Sequence, residues 1–144
     1  MARRLALVAV GGDRTHLQEF LDGYKLGFPA SVAAKTAGPA IWMEQKIHKA
    51  NPDVGRADVA RVAELIDHVD ELIAGGVIGG EQPNAADFQI APSVRLLMAL
   101  DQLRPLIDGR PAAELALTVV SDFRGRVPAG LPHDWLPKRP AASA

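Results

Sequence analysis

The chain contains no cysteine. That excludes disulfides, thiolate metal sites and a cysteine nucleophile. Aromatic residues are scarce, at 5%. An excess of one charge is missing too: 16 Lys and Arg stand against 17 Asp and Glu, for a net charge of −1. A near-neutral chain without a basic stripe does not read as a dedicated nucleic-acid binder. No apolar run approaches the ~20 residues needed to span a bilayer. The run Leu5-Ala6-Leu7-Val8-Ala9-Val10 behind Arg3-Arg4 is too short for the core of a secretory signal, and Gly11-Gly12-Asp13 ends it. No membrane partner is expected, and the cytoplasm is the expected location.

What is present is a chain of 144 residues, 48% hydrophobic and 23% charged, a size and composition that suit one globular domain. The apolar residues recur with helical rather than strand period. Leu17, Phe20, Leu21 and Tyr24 share one helix face behind a cap at Asp13 or Thr15, with Thr15 and Gln18 spaced as a capping box. Val32 to Ile47 is a second helical stretch, which Gly38-Pro39 should break. Asn51-Pro52-Asp53 is another break, with Asp58 placed to cap the stripe Val59, Val62, Ile66, Val69 and Ile73. Arg61, Glu64, Asp67, Asp70 and Glu71 face mostly outward from that stripe, and Gly75-Gly76 closes it. A central helix over 85–103 is apolar almost all round, which predicts burial on several sides and a kink at Pro92. Another helix starts at Pro111 and runs to about Val120. Beyond Asp122, a tail rich in Gly and Pro offers Leu131, Trp135 and Leu136 as anchors. The expected fold is all-α, a bundle of about five helices. Residues 1–12 form a short helical or irregular lead-in whose Leu5, Leu7, Val8 and Val10 are exposed or used in association. Residues 13–137 form the domain proper, and 138–144 a disordered tail.

The start of the central helix is the most specific signal. In Ile78-Gly79-Gly80-Glu81-Gln82-Pro83-Asn84-Ala85-Ala86-Asp87, the Asn84 side chain can accept from the N–H groups of the first helical turn. Asp87 can reach back to the Asn84 N–H. Pro83 and Phe88 are spaced as a hydrophobic staple. Ile78, Gly80, Asn84, Ala86 and Asp87 together resemble the motif that starts the central helix in the C-terminal, all-helical domain of glutathione transferases, with Asn84 in place of the usual Ser or Thr. The segments 88–98 and 103–111 look like bacterial members of that family, and the resemblance runs more weakly from Thr15 to Pro137. In that family a thioredoxin-like domain precedes the helical one and holds glutathione and the catalytic residue. No βαβ pattern fits in residues 1–12. The resemblance therefore implies glutathione only as a co-substrate of the family, with no catalytic residue and no resident cofactor in this chain.

The titratable residues form no recognisable centre. His16, His48, His68 and His133 do not pair at the spacing of a helical zinc site, and Glu64, Asp67, His68 and Asp70 read as a solvated face. No serine lies in a nucleophile-elbow context, and Ser93 sits where a hydroxyl bonds back to its own helix. Arg95, embedded in Val94-Arg95-Leu96-Leu97-Met98, needs a partner such as Asp101, Asp87 or a glutamate on another helix. It is either a structural or snorkelling charge or one that faces a ligand. Phe20, Tyr24, Trp42 and Met43 read as core by their spacing. By the resemblance they line an apolar co-substrate pocket, with Trp42 foremost. The function implied is that of a transferase-family helical domain supplying the apolar wall and a domain or subunit interface. Its partner is a thioredoxin-like chain or a second copy. The alternative is a stand-alone interaction module or binder of an apolar small molecule.

Overall fold

Ala2, Leu5, Ala9 and Val10 recur at helical spacing. In the computed structural model, which describes residues 1–25 and 27–136, they are the buried face of the first helix. Among the described residues the chain is all-α. Its helices are α1 (Ala2–Gly11), α2 (Arg14–Asp22), α3 (Ala30–Thr36), α4 (Gly38–Ile47), α5 (Pro52–Ala60), α6 (Val62–Ala74), α7 (Asp87–Met98) and α8 (Pro111–Val119). Short 3-10 turns cover Asp101–Leu106 and His133–Trp135. The only extended pairing among the described residues is an isolated bridge between Leu100 and Val127.

Eight helices stand where about five were expected. The expected breaks at Gly38-Pro39 and Asn51-Pro52 occur, but the stripe from Val59 to Ile73 is divided at Arg61, which leaves α5 and α6 as separate rods. Asp58 is not a cap. Asn51 takes that role for α5, accepting from the Val54 N–H at 3.0 Å. Asp13 caps α2 through the Thr15 N–H at 2.8 Å, and that bond holds its carboxyl below the usual carboxylate range.

The largest correction concerns residues 1–12. They are not a lead-in but the packing centre, because α1 touches α2, α4, α5 and α7. Leu5 is fully buried and Val10 is 9% exposed. Arg4 forks onto the buried Asp58 of α5, with two N–H···O bonds of 2.8 Å. The Gln45 side chain donates to the Leu7 carbonyl at 3.0 Å. The arginines that suggested a leader thus serve helix-to-helix contacts.

The central helix also differs from expectation. α7 ends at Met98, and Leu100 then turns extended to bridge Val127. Its buried residues, Asp87, Ala91, Val94, Leu97 and Met98, lie along one face, while Phe88, Pro92 and Ser93 are exposed. Pro92 sits on the water side of a continuous α-helix. There the carbonyl it leaves without a donor is reachable by solvent, which lowers the cost of an internal proline. Phe88 and Pro83 are both exposed, so no staple forms between them.

The C-terminal stretch is pinned rather than loose. Gln102 pairs its amide with both backbone groups of Leu131. Gly130 lies so close to α1 that a Cβ there would meet the Ala9 Cβ at 2.6 Å. Trp135 covers Gly55 of α5. The expected disordered tail at 138–144, and Pro137 at the domain boundary, lie outside the described residues.

If α1 is the packing centre, Leu5→Ala lowers the free energy of unfolding by about 2–5 kcal/mol in a urea titration. A loss below about 0.5 kcal/mol would restore residues 1–12 to the status of a lead-in.

Candidate functional site

The decade before α7 is built around one carboxylate. Asp87 is fully buried. Its Oδ2 accepts from the Asn84 N–H at 2.7 Å, and its Oδ1 from the Gly79 N–H at 2.7 Å. Asn84 reciprocates: its Oδ1 accepts from Ala86 N–H at 2.8 Å and from Asp87 N–H at 3.3 Å. Its Nδ2 donates to the Val77 carbonyl at 2.9 Å. These bonds join the exit of α6 to the start of α7 and satisfy orphan donors of the first turn. Gly79 has φ +77, a conformation in which a side chain is strained. Gly80, the glycine of the resembled motif, has no positive φ, and a Cβ there would meet only the Gln82 carbonyl oxygen, at 4.0 Å. The conformational demand at this turn therefore falls on Gly79. Both Asp87 oxygens are occupied by backbone donors, so Asp87 holds the fold and is not poised as a base.

α8 starts in a similar way. Asp70 of α6 accepts from the Ala112 N–H at 2.8 Å and from Arg110 Nε at 2.8 Å, and Asp67 pairs with the same guanidinium. The acidic face of α6 is thus not merely solvated, since Asp70 is spent on the neighbouring helix. His68 stands 3.5 Å from Glu71. No group of three or more His, Cys, Asp or Glu able to hold a metal occurs among the described residues. Ser93 donates to the Gln89 carbonyl at 3.1 Å.

The five pocket candidates separate into two groups. Phe20 of α2 and Tyr24, just beyond its end, meet Phe123, with ring centroids 6.0 and 6.3 Å from it. The Tyr24 hydroxyl accepts from the Arg124 and Gly125 N–H groups, each at 3.3 Å. Arg95 reaches this cluster from α7. It donates to the Phe123 carbonyl at 2.8 Å, and its guanidinium lies 5.2 Å from the centre of the Phe123 ring. The aspartates expected to pair with it are committed elsewhere, Asp101 to Arg126 at 2.7 Å and Asp87 to the backbone. Phe20, Tyr24 and Arg95 therefore fasten the segment after α8 to α2 and α7. Phe123, a lone aromatic beyond an apolar helix, gave no periodic signal by which to find it.

Trp42 and Met43 lie apart from that cluster on α4, 60% and 58% exposed. α4 has no buried residue at all, so these side chains are not core. Trp42 borders a cleft of ≈ 440 Å³ with Lys46, Lys49 and Asn51. It also borders one of ≈ 320 Å³ with Gly12, Asp13 and Ile41. A more apolar groove of ≈ 450 Å³ runs between α6 and α7, lined by Leu65, Val69, Leu72, Ile90 and Val94. No described cleft brings the five candidates together.

Fold and site define, among the described residues, an all-α domain in which the starts of α7 and α8 are held by the buried Asp87 and the half-buried Asp70. Among the described residues no helix is long and apolar enough to cross a membrane. Comparison with known protein families, with curated proteins and with solved structures returns no match.

Removing the clamp takes the shared acceptor from the Gly79 and Asn84 N–H groups and leaves a gap where the buried carboxylate stood, so Asp87→Ala should cost roughly 1–3 kcal/mol of stability by chemical denaturation. A cost near zero would show that water or the Asn84 side chain replaces the carboxylate. Arg95→Met should cost about 1–2 kcal/mol by the same measurement, for the lost carbonyl bond and ring contact. Unchanged stability would contradict its fastening role.

Proposed function

We propose that this chain acts as a helical module of the glutathione-transferase C-terminal type, one that supplies an apolar wall and a docking face but not the thiol chemistry. The observation that carries this reading is the Asp87 clamp. The stretch whose sequence resembles that family's helix start, 78–87, is also where a buried carboxylate ties two backbone donors together. The family's chemistry is attack of a glutathione thiolate on an electrophile, with the thiol activated by a lowered pKa. In this reading the thiol chemistry falls to a thioredoxin-like partner.

The docking face is on α3 and α4. Phe28, Val32, Trp42, Met43 and Ile47 are all more than two-fifths exposed. Clustered exposed apolar residues mark contact surfaces in soluble proteins. The absence of any buried residue on α4 favours a second reading as well, a stand-alone module whose α3–α4 face closes on a second copy or holds an apolar small molecule.

A calorimetric titration of the chain with glutathione, followed by an assay for conjugation to a chromogenic aryl halide, tests the main reading. No saturable heat and no conjugation are expected from the chain alone. Saturable glutathione binding with turnover would overturn the assignment of the thiol chemistry to a partner. Light scattering over a range of concentrations separates the second reading: self-association that Met43→Lys abolishes would favour it.

A further inference from the structure

The cleft beside Trp42 has features that the reading above does not use. Two residues beyond the end of α4 stands Lys49, whose φ is +53. The Lys49 N–H donates to the Lys46 carbonyl at 3.3 Å and the Ala50 N–H to the Gln45 carbonyl at 2.8 Å. This is the pair of bonds that closes a helix on a left-handed residue, a position glycine fills best because a Cβ is strained there. Here the position carries lysine instead. Residues held in such conformations are found preferentially where a site needs them.

The surroundings suggest what that need is. The cleft of ≈ 440 Å³ is lined by Trp42, Gln45, Lys46, Lys49, Ala50, Asn51 and Val54, which include two cations and no acid. The nearby Glu44 lies 3.2 Å from His48. The Lys46 ammonium already stands 5.8 Å from the centre of the Trp42 ring, so cation and aromatic face are presented side by side. α4 packs on the core through Ile41 and Gln45, whereas Trp42 is exposed and its indole is available to stack.

We infer that this cleft binds small organic anions with a flat apolar body, of the aryl carboxylate or aryl sulfonate class, with the ring against Trp42 and the anionic group between Lys46 and Lys49. The indole supplies apolar contact, Gln45 and Asn51 supply polar edges, and the two ammonium groups discriminate against uncharged or cationic analogues. The site belongs to this chain alone and does not depend on a transferase lineage or a partner domain.

Calorimetry with anilinonaphthalene sulfonate, and with uncharged N-phenylnaphthylamine as the matched control, tests the inference on the full chain. The sulfonate should bind saturably with one-to-one stoichiometry, weaken as salt rises, and bind more tightly than the uncharged control. Lys49→Gly is the diagnostic variant. It should raise the melting temperature, because glycine relieves the left-handed position. It should also weaken sulfonate binding about threefold to tenfold, and Trp42→Ala should weaken it further. Equal affinity for the uncharged control, or unchanged sulfonate affinity in a Lys46→Gln/Lys49→Gly double variant that remains folded, would overturn the proposal. The first outcome would place the dye in the apolar groove between α6 and α7.

Discussion

Two backbone N–H groups, those of Gly79 and Asn84, end on the two oxygens of the Asp87 carboxylate, and the geometry of half the molecule follows from that contact. A buried carboxylate is tolerated only when its oxygens are satisfied, and here each receives a short bond from a donor that would otherwise be stranded. The loop leaving α6 is thereby fixed to the first turn of α7. α7 in turn lies against α8 and α1. The same device recurs with Asp70, which caps α8 from α6. The starts of α2, α5 and α7 are held by residues close by in sequence, Asp13, Asn51 and the Asn84–Asp87 pair, whereas that of α8 is held across elements by Asp70 of α6.

This use of charge explains why a chain with so many ionic residues has little surface field. Arg4 is bound to Asp58, Arg110 to Asp67 and Asp70, and Arg126 to Asp101. Each of these pairs sets opposite charges side by side, so none of these arginines adds to a stripe of one sign. The chain after α8 is held by similar means. Phe123 takes the Arg95 guanidinium, Tyr24 accepts from the backbone that follows, and Gln102 holds Leu131. The Gly and Pro residues of this segment let it approach α1 and α5 closely, as at Gly130 against Ala9.

Periodicity made the helices of 14–22, 62–74 and 111–119 legible, along with the breaks at Gly38-Pro39 and Asn51-Pro52, because apolar spacing and proline act locally. The all-α class follows from the same signal. The role of α1 was not legible. Its short apolar run reads as an exposed or associating lead-in, and only the burial of Leu5 and the Arg4–Asp58 pair place it in the core. The division of the Val59–Ile73 stripe at Arg61 escaped for a related reason: the stripe stays in phase across a break that costs it little. At the candidate site, the donors and acceptors of Asn84 and Asp87 are readable from spacing, whereas the third bond, from Gly79 to Asp87, spans a loop. Arg95 illustrates the limit most plainly. Burial on an apolar helix foretold a partner, but that partner is a carbonyl and a ring 28 residues away in sequence, and neither carries a charge to search for.

Functionally, the molecule divides its aromatic residues between two tasks. Phe20, Tyr24 and Phe123 close the fold, while Trp42 is exposed on α4, beside two lysines and near Met43 and Ile47. A domain that spends many of its acids on arginines and helix starts and leaves an apolar and cationic surface on α4 has its capacity for recognition there. That division holds only if the α6–α7 junction is rigid, so native-state hydrogen exchange of the Gly79 and Asn84 amides is the most direct measurement. The account predicts protection comparable to the interior of α7, at Val94 and Leu97, even though both amides lie in an irregular segment. Exchange of either amide at the rate of Glu81 and Gln82 in the same loop would contradict the claim that Asp87 organises the fold.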